Sequence, residues 1–376
     1  MRDTETTQFV NSEAKVSPLT SLEPAPSPDP DRVIPNLVRI ASEAGFEQTA
    51  SKLRDLREWL GEDMRTLENE IMGKQDLHEN IASRASEHLL HTAGKRIRPL
   101  CVILSARLGE RQADQNVIDL AVAAEMVHAA TLLHDDVLDE GQTRRGVDTA
   151  RVVFGNSASI LGGDHLLVCA LQRVERGGSP QLLGSLLETI SAMVHAEARQ
   201  LEQRGNFEPS SETYDSVVRG KTAQLFNWSM RAGATLGGLS QKQTEALALF
   251  GHNLGMAFQL VDDTLDLAYD TATMGKDSLR DLKEGKMTWP LIIACQKDPM
   301  LTKLLRASLH NPSYMDDEER ITNLRARILA TDCVEVTRQR ARDYAHSAHQ
   351  ILSDFPETPA RTALATLLDG AVARVS

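Results

Sequence analysis

The amino-acid sequence predicts an all-α protein, and two observations favour this fold class. Aromatic residues make up only 4% of the 376 residues, whereas alanine and leucine, which are strong helix formers, are abundant. From about residue 37 onward the apolar residues recur every three or four positions, and no alternating polar and apolar segment of useful length interrupts them. We therefore expect one large helical domain.

The first 36 residues differ in composition from the rest of the chain. Six of the 14 prolines fall within this segment, which also lacks apolar periodicity. Such a segment cannot bury enough apolar surface to offset the chain entropy that is lost on ordering. The sequence therefore predicts a disordered leader over residues 1–36 and an all-α domain over residues 37–376.

The sequence predicts two long helices within this domain. The first is predicted from Asp114 to Glu140, and the second from Ser240 to Leu267, where Gln243 completes a capping-box pattern. Residues at spacings of three and four define the buried face of the first helix: Val117, Leu120, Ala121, Ala124, Val127, His128, Thr131 and Leu132. Each predicted helix ends in the pattern Asp-Asp-x-x-Asp.

We call Asp135–Asp139 the first Asp motif and Asp262–Asp266 the second Asp motif. On a helix, positions i and i+4 lie on one face, so each motif presents paired carboxylates that repel one another unless a cation lies between them. Hard divalent ions use one or two carboxylates and complete their coordination with phosphate oxygens. A single match is more typical of a solvated acidic helix end, but two copies predict a Mg²⁺-dependent enzyme that acts on a diphosphate.

Basic residues cluster near the Asp motifs although the chain carries a net charge of −12. Arginine offers a bidentate fork and lysine a point charge to a phosphate group, although isolated basic runs are more often solvated surfaces. From spacing alone, the pair Arg144-Arg145 is equally compatible with a local ion-pair network. The basic segments are Gly94–Pro99, Thr143–Gly146, Gly220–Thr222, Gly275-Lys276 and Gly285–Thr288.

Composition also excludes several functional classes. The acidic net charge disfavours a nucleic-acid surface, and no apolar run reaches the 18 residues that a membrane-spanning helix needs. The four cysteines are scattered, which fits a reducing compartment. The N-terminus lacks a secretory pattern and is too acidic for a mitochondrial presequence, so we expect a cytoplasmic protein.

The motifs, in this order and spacing, resemble those of the trans-isoprenyl diphosphate synthases, also called polyprenyl synthetases. The resemblance runs from about Asn36 to the C-terminus and is strongest to the bacterial long-chain members that make octaprenyl, nonaprenyl and decaprenyl diphosphates for quinone side chains. Besides the Asp motifs, the segments that carry it are Gly94–Pro99, Glu125–His128, Arg144–Gly146, Gly163-Asp164, Lys221-Thr222, Phe258-Gln259, Gly285-Lys286 and Thr337–Ala341.

This resemblance implies a fold and an activity. The fold would be a single helical bundle with a central cavity, of the isoprenoid synthase type. The activity would be the addition of isopentenyl diphosphate units to an allylic diphosphate, with about three Mg²⁺ ions in each active site. The resemblance also implies a homodimer without a spanning segment, which contacts a membrane only transiently when the product is released.

The resemblance further assigns roles to individual residues. Asp135 and Asp139 would bind Mg²⁺ that grips the allylic diphosphate, with Asp136 in support, and Asp262, together with Asp263 and Asp266, would hold the third ion. Catalytic roles would fall to Asp135, Asp139, Asp262 and Lys221. The allylic substrate would contact Arg144, Lys221, Thr222, Gln259 and Lys276. Isopentenyl diphosphate would contact Lys95, Arg98, His128 and Arg145, although the position of His128 alone favours a core histidine.

Product length is predicted from the residues that precede the first Asp motif. Thr131 and Ala130 lie four and five positions before Asp135, roughly 6–7.5 Å below the expected metal site. Short-chain members of the resembling family tend to carry bulky aromatic residues here. Small residues therefore predict a product well beyond C20, of about C40–C50, with the chain buried at about 0.8 kcal/mol per CH₂. Alternatively, Ala130 only packs against a neighbouring helix and does not control product length.

Other functions stay open. A short-chain synthase would share every motif, and a non-catalytic partner subunit would usually have eroded Asp motifs, which are intact here. A terpene cyclase should lack Gly94–Pro99 and the second Asp motif, and a His-Asp phosphohydrolase needs further histidine ligands. The sequence departs from the family at Leu279–Asp281, where a smaller and more acidic run is usual, and at Ala196, where glycine is usual.

Overall fold

The computed structural model describes residues 47–73, 80–92, 94, 96–177, 179–268, 279–310 and 317–372. Within these ranges the chain is helical nearly throughout, and its only β-structure is a hairpin of two short strands. The predicted all-α class is therefore confirmed. The leader predicted over residues 1–36 lies outside the described residues.

The first half of the domain leads up to the hairpin. Its helices are α1 Glu47–Trp59, α2 Gly61–Met72, α3 Ile81–Leu90, α4 Ile97–Leu108 and α5 Gln115–Leu138. The hairpin strands, β1 Thr143–Arg144 and β2 Val147–Asp148, pair antiparallel with Arg144 opposite Val147. Arg145 (φ 53°) and Gly146 (φ 81°) form the turn, and two positive φ angles are typical of a tight type I′ hairpin turn.

The second half begins with long helices and ends with shorter ones that pack around them. The first group is α6 Ala150–Phe154, α7 Asn156–Arg176, α8 Pro180–Glu202, α9 Ser211–Val218, a π-helical turn at Arg219–Ala223, α10 Gln224–Leu236 and α11 Gln241–Ala268. The second group is α12 Arg280–Lys283, α13 Trp289–Lys297, α14 Pro299–His310, α15 Glu318–Leu329, α16 Cys333–Ser353 and α17 Pro359–Val372.

Helix α5 forms the centre of the bundle. Asp114 caps its N-terminus by accepting a hydrogen bond from the amide of Val117 (3.1 Å), and every residue from Val117 to Val127 is buried. By length and composition α5 is the one described helix that could cross a membrane, but 78% of its most apolar stretch is buried inside the protein. It packs against α4, α7 and α10, and each large apolar side chain buried there contributes about 1.5–3 kcal/mol.

Helix α11 carries the second Asp motif and packs against α10 and α16. The capping box predicted at its start is confirmed, because the Ser240 amide donates to Gln243 Oε1 (3.1 Å) and the Gln243 amide to Ser240 Oγ (3.4 Å). A Cβ atom at Gly255 would lie 2.6 Å from the Cα atom of Ala223. Glycine at this position therefore lets α11 lie directly against the π-helical turn.

A large apolar core occupies the helices around α5, and a smaller one lies beneath α12–α16. The smaller core includes Leu267 at the end of α11 and Leu279 at the start of α12, both buried. The end of α11 and the start of α12 are therefore anchored in the same core. This anchoring fixes the end of α11 relative to the helices that follow it.

Candidate active site

The first Asp motif lies at the C-terminal end of α5, where cations from three other segments surround it. Lys286 Nζ lies 2.8 Å from Asp139 Oδ2, and Arg204 Nη2 donates to Asp139 Oδ1. Lys221 Nζ lies 3.3 Å from Asp135 Oδ2. The basic segments that are distant in sequence are thus brought together at the first Asp motif.

The charges of the two outer carboxylates are balanced differently. Burial raises the pKa of Asp135 above its ordinary value, and the nearby Lys221 offsets only part of this effect. Burial also acts on Asp139, but the charges of Lys286, Lys221 and Arg204 outweigh it and hold the pKa of Asp139 below its ordinary value. Asp139 is therefore the more strongly ionised carboxylate of the pair.

The middle carboxylate of the first Asp motif forms an internal ion pair. Asp136 is 1% exposed and accepts three hydrogen bonds from Arg144, at 2.7, 3.0 and 3.1 Å. A supporting role for Asp136 fits this geometry, because the pair ties the hairpin to the end of α5. The sequence spacing of Arg144 did not decide whether it forms a local ion pair, and in the structure it does so with Asp136.

A second basic site lies where α4 meets α5. The guanidinium of Arg98 stacks on the ring of Phe226, 4.5 Å from its centroid, and its buried Nε atom has no hydrogen-bond partner among the described residues. Burial lowers the pKa of Arg98 to about 10, and burial together with Arg98 and Arg145 holds the pKa of His128 well below its ordinary value. His128 is therefore neutral at physiological pH, and Arg98 and Arg145 provide the positive charge of the site.

One arginine of the Gly94–Pro99 segment has a structural role instead. Arg96 has a left-handed backbone (φ 43°), is 3% exposed, and pairs with Glu68 (3.0 Å) and Glu125 (2.7 Å). These two carboxylates anchor the loop from which Arg98 extends. The resemblance assigned Lys95 and Arg98 to the substrate and gave Arg96 no role, and only the fold shows that Glu68 and Glu125 pair with Arg96. Lys95 lies outside the described residues.

The three carboxylates of the second Asp motif have different surroundings. Asp262 is half-buried, whereas Asp263 is 3% exposed and accepts hydrogen bonds from Tyr214 Oη (2.6 Å) and Gln259 Nε2 (2.9 Å). Burial raises the pKa of Asp263 to about 6. Asp266 accepts the backbone N–H groups of Arg280 (3.0 Å) and Asp281 (3.2 Å) at the start of α12. Both carboxylate oxygens of Asp263, and both of Asp266, thus contact protein groups.

The break expected near Gly220 is a π-helical turn, a feature common at functional sites. A Cβ atom at Gly220 would lie 2.6 Å from the Cβ atom of Ala196, so the alanine that replaces the usual glycine packs against this turn. The side chain of Lys221 extends from the turn towards Asp135, and it also contacts Glu197 and Gln200 (3.0 Å).

Thr222 lies on the same turn and links it to α11. Its Oγ1 atom donates to Gln259 Oε1 (2.9 Å), so a continuous series of hydrogen bonds runs from Thr222 through Gln259 and Asp263 to Tyr214. The structure therefore connects two predicted substrate contacts, Thr222 and Gln259, to the second Asp motif. Lys276, the remaining predicted contact, lies outside the described residues.

Arg204 and Tyr214 were not among the residues predicted from the sequence. Arg204 follows the end of α8 and reaches the first Asp motif, and Tyr214 lies in α9 and reaches the second. Lys286 was noted only as one of several local cations. A sequence signal for Arg204 is the Arg-Gly pair at a helix end, but the sequence offers no sign that this turn lies beside Asp139.

The residues predicted to control product length lie on α5 below Asp135. Thr131 is half-buried, whereas Ala130, Val127, Ala124 and Ala123 are fully buried. Thr131 shares a helix face with Asp135, and its hydroxyl donates to the carbonyl of His128 (2.8 Å). The burial of Ala130 leaves open the alternative that it packs against a neighbouring helix.

The oxygen donors suit a hard divalent ion. Among the described residues no three His, Cys, Asp or Glu side chains converge on a single point. Mg²⁺ does not require such a cage, since it commonly binds one or two carboxylates and takes its other ligands from substrate phosphates and water. The half-buried carboxylates Asp135, Asp139 and Asp262 therefore fit an ion that is shared with a diphosphate.

The sequence of the chain is similar to known proteins over most of its length. The sequence profile of the polyprenyl synthetase family matches residues 79–326. Octaprenyl diphosphate synthase from Escherichia coli (strain K12) is 33% identical over 323 residues, which cover 86% of this chain and 99% of that protein. Nonaprenyl diphosphate synthase from Mycobacterium tuberculosis (strain ATCC 25618 / H37Rv) is 34% identical over 297 residues, covering 79% and 88%.

Solved structures of polyprenyl synthases are also similar to this chain over most of its length. A polyprenyl synthase from Caulobacter crescentus CB15, complexed with calcium and isoprenyl diphosphate, has a TM-score of 0.78 and 32% identity, covering 94% of this chain and 100% of that one. A decaprenyl diphosphate synthase from Rhodobacter capsulatus has a TM-score of 0.79 and 31% identity, covering 86% and 99%. The similarity in structure thus covers 86–94% of this chain and 99–100% of the two solved structures.

Proposed function

The chain belongs to the polyprenyl synthetase family, and on that premise we propose that it is a Mg²⁺-dependent prenyltransferase that makes a long-chain all-trans polyprenyl diphosphate. The observation that carries the proposal is the convergence of Lys221, Lys286 and Arg204 on Asp135 and Asp139. A site that pairs carboxylates with cations suits a diphosphate bridged by divalent ions.

The two basic sites would hold the two substrates. Arg98, Arg145 and the neutral His128 would bind the diphosphate of isopentenyl diphosphate. The buried Nε atom of Arg98, which has no hydrogen-bond partner among the described residues, supports this assignment. Lys221, with Thr222 and Gln259, would orient the allylic diphosphate beside Asp135. Holding both substrates at fixed positions converts a bimolecular encounter into an effectively unimolecular step.

In the reaction, the C–O bond of the allylic diphosphate breaks and its electron pair leaves with the diphosphate. The double bond of isopentenyl diphosphate then forms a C–C bond to the allylic carbon, and loss of a proton to the departing diphosphate regenerates an allylic diphosphate. Asp135, Asp139 and Asp262 would hold the Mg²⁺ ions, which when bound neutralise the charge that develops on the leaving group. Lys221 adds a fixed positive charge at the same place.

We propose a product of about C40–C50. The small side chains at Ala130 and Thr131 support this length, as do the names of the octaprenyl, nonaprenyl and decaprenyl synthases to which the chain is similar. Burial of each added CH₂ along α5 would contribute about 0.8 kcal/mol. A cytoplasmic location, with membrane contact only when the product leaves, belongs to the same proposal.

A homodimer is also part of the proposal, and an exposed apolar surface on α7 and α8 supports it. Leu187, Val194 and Leu201 lie seven residues apart on α8 and are 51, 62 and 45% exposed. Exposed Ile160 and Val168 lie on α7, which packs against α8. An apolar stripe of this kind on two adjacent helices is typical of a protein–protein interface.

Substitution of the Asp motifs tests the proposed activity. The purified wild-type chain should consume isopentenyl diphosphate when an allylic diphosphate and Mg²⁺ are supplied, without any partner protein. Asp135→Ala or Asp262→Ala should lower turnover by about two or more orders of magnitude while the helical content measured by circular dichroism is retained. A wild-type chain that is inactive alone would instead favour a subunit of a heteromeric synthase.

A further inference from the structure

Arg204 joins the two sides of the candidate active site. It lies just after α8, where its Nη2 atom donates to Asp139 Oδ1 and its Nη1 atom donates to the carbonyl of Leu138 (3.3 Å). The next residue, Gly205, donates its backbone N–H to the carbonyl of Gly285 (2.9 Å). One turn of chain therefore connects the end of α5 with the loop that carries Lys286.

The two cations enclose the carboxylate of Asp139. Arg204 contacts Oδ1 and Lys286 contacts Oδ2, and only 8% of the Asp139 side chain is exposed. Lys286 has a second carboxylate partner, Glu284 (2.6 Å). Asp139 is the one carboxylate partner of Arg204 among the described residues, and the buried Nε atom of Arg204 has no hydrogen-bond partner in the described part of the chain.

We propose that Arg204 is a positioning residue that occupies one carboxylate oxygen of Asp139, Oδ1, until a divalent ion and a diphosphate arrive. The inference rests on the proposed function, because it takes Asp139 as a ligand of the ion. A guanidinium and a divalent cation would compete for the Asp139 carboxylate, so the charge of Arg204 would oppose binding of the ion until Arg204 moves away. A diphosphate favours this exchange, because it offers the released guanidinium a bidentate partner.

This competition has a measurable consequence in the free protein. Removal of the charge of Arg204 should strengthen the binding of a divalent ion in the absence of diphosphate. A purely structural role predicts the opposite, since loosening the turn would disorder Asp139 and weaken binding. The sign of the change therefore separates a competing cation from a structural contact.

The experiment measures Mn²⁺ binding to the full chain without diphosphate, by the electron paramagnetic resonance signal of the free ion. Arg204→Gln and Arg204→Met should bind Mn²⁺ about fivefold to tenfold more tightly than the wild type, where tenfold corresponds to about 1.4 kcal/mol. Arg204→Lys, which keeps the charge, should stay close to the wild type.

Arg199→Gln serves as the matched control. Arg199 lies on α8, is exposed and donates a hydrogen bond to Ser216 Oγ (2.7 Å), so its substitution changes the net charge equally without removing a contact to Asp139. Its effect on Mn²⁺ affinity should be less than about twofold. In an Asp139→Asn background, Arg204→Gln should have no further effect.

The possible failures are distinct. If Arg204→Gln and Arg204→Met bind Mn²⁺ as the wild type does, or more weakly, the inference about Arg204 is wrong while the proposed prenyltransferase stands. If the wild type and the variants bind no Mn²⁺ and turnover does not depend on a divalent ion, the metal assignment itself is wrong and the inference about Arg204 falls with it.

Discussion

Adjacent carboxylates in the Asp motifs differ because of the groups that the fold places around them. Asp262 is half-buried, whereas the next residue, Asp263, is buried and accepts hydrogen bonds from Tyr214 and Gln259. On a helix, consecutive residues point about 100° apart, so one can face a ligand while the other faces a neighbouring helix. The sequence Asp-Asp alone does not indicate which of the two does so.

Tyr214→Phe tests the hydrogen bonds behind the second Asp motif. The change removes one donor from the buried Asp263 and should destabilise the fold by about 1–2 kcal/mol. It should also raise the apparent KM for the allylic diphosphate, because Gln259 and Thr222 belong to the same series of hydrogen bonds, while the KM for isopentenyl diphosphate stays unchanged.

Thermal unfolding and steady-state kinetics measure both effects. Tyr344→Phe is the matched control, since the ring of Tyr344 packs near Arg340 and, among the described residues, its hydroxyl forms no hydrogen bond with the second Asp motif. An equal change in both KM values would contradict a role for Tyr214 that is specific to the allylic site.

At the scale of single elements, the end and the middle of α5 have different roles. The last turn carries the first Asp motif, whereas the residues from Val117 to Val127 are all buried in the core. Thr131 lies between these regions, on the face that leads to Asp135. The helix therefore provides both the candidate metal ligands and the wall along which we expect the product to grow.

Ala130→Phe and Thr131→Phe test this wall. An aromatic side chain roughly 6–7.5 Å below Asp135 should block the growing chain and shift the main product towards about C15–C20. Chromatography of the dephosphorylated products measures the length, and the melting temperature shows whether the core tolerates the larger side chain. If Ala130→Phe lowers the melting temperature but leaves the product length unchanged, Ala130 only packs against a neighbouring helix.

The last two helices are joined by a pair that should respond to pH. His349 Nε2 on α16 lies 2.7 Å from Asp369 Oδ1 on α17, and this hydrogen bond raises the pKa of His349. The stabilisation is therefore fully present below the ordinary histidine pKa of about 6.5 and is lost as the pH rises through the raised value.

The stability of His349→Gln should reveal this pH dependence. Both side chains are more than a third exposed, so solvent screening limits the effect to about 0.5 kcal/mol. The melting temperature of the variant should fall below that of the wild type at pH 6 and approach it at pH 9. Asp369→Asn should reproduce the difference at pH 6, and a difference that is equal at both pH values would argue against the pair.

At the scale of the whole molecule, the exposed apolar surface on α7 and α8 is the feature that a single chain does not account for. Its residues Leu187, Val194 and Leu201 repeat every two turns of α8. Sequence periodicity identified the buried face of the long helices, but it does not distinguish a second apolar face that another copy would cover.

The substitution Val194→Glu should dissociate the expected homodimer into monomers. Val194 is 62% exposed, so a charge there does not disturb the core of one chain but would be buried in a dimer. Sedimentation at micromolar concentration should show a dimer for the wild type and a monomer for the variant. Leu249→Glu is the control, because Leu249 is 51% exposed on α11, which is not one of the two helices that carry the apolar surface. A wild type that sediments as a monomer would refute the homodimer.

By itself, the sequence determined the fold class, the capping box at Ser240, the break near Gly220 and the family. These properties depend on local patterns, because helix periodicity and caps are set by residues a few positions apart, and because the Asp motifs and basic segments are contiguous. Family similarity likewise depends on the order of motifs along the chain.

Only the tertiary structure decided which charged groups meet. It placed Arg96 between Glu68 and Glu125, Asp263 against Tyr214, and Arg204 against Asp139. Each of these contacts joins residues that are at least 28 positions apart in the sequence. The partner of a buried charge depends on how helices pack, and no local pattern records that packing.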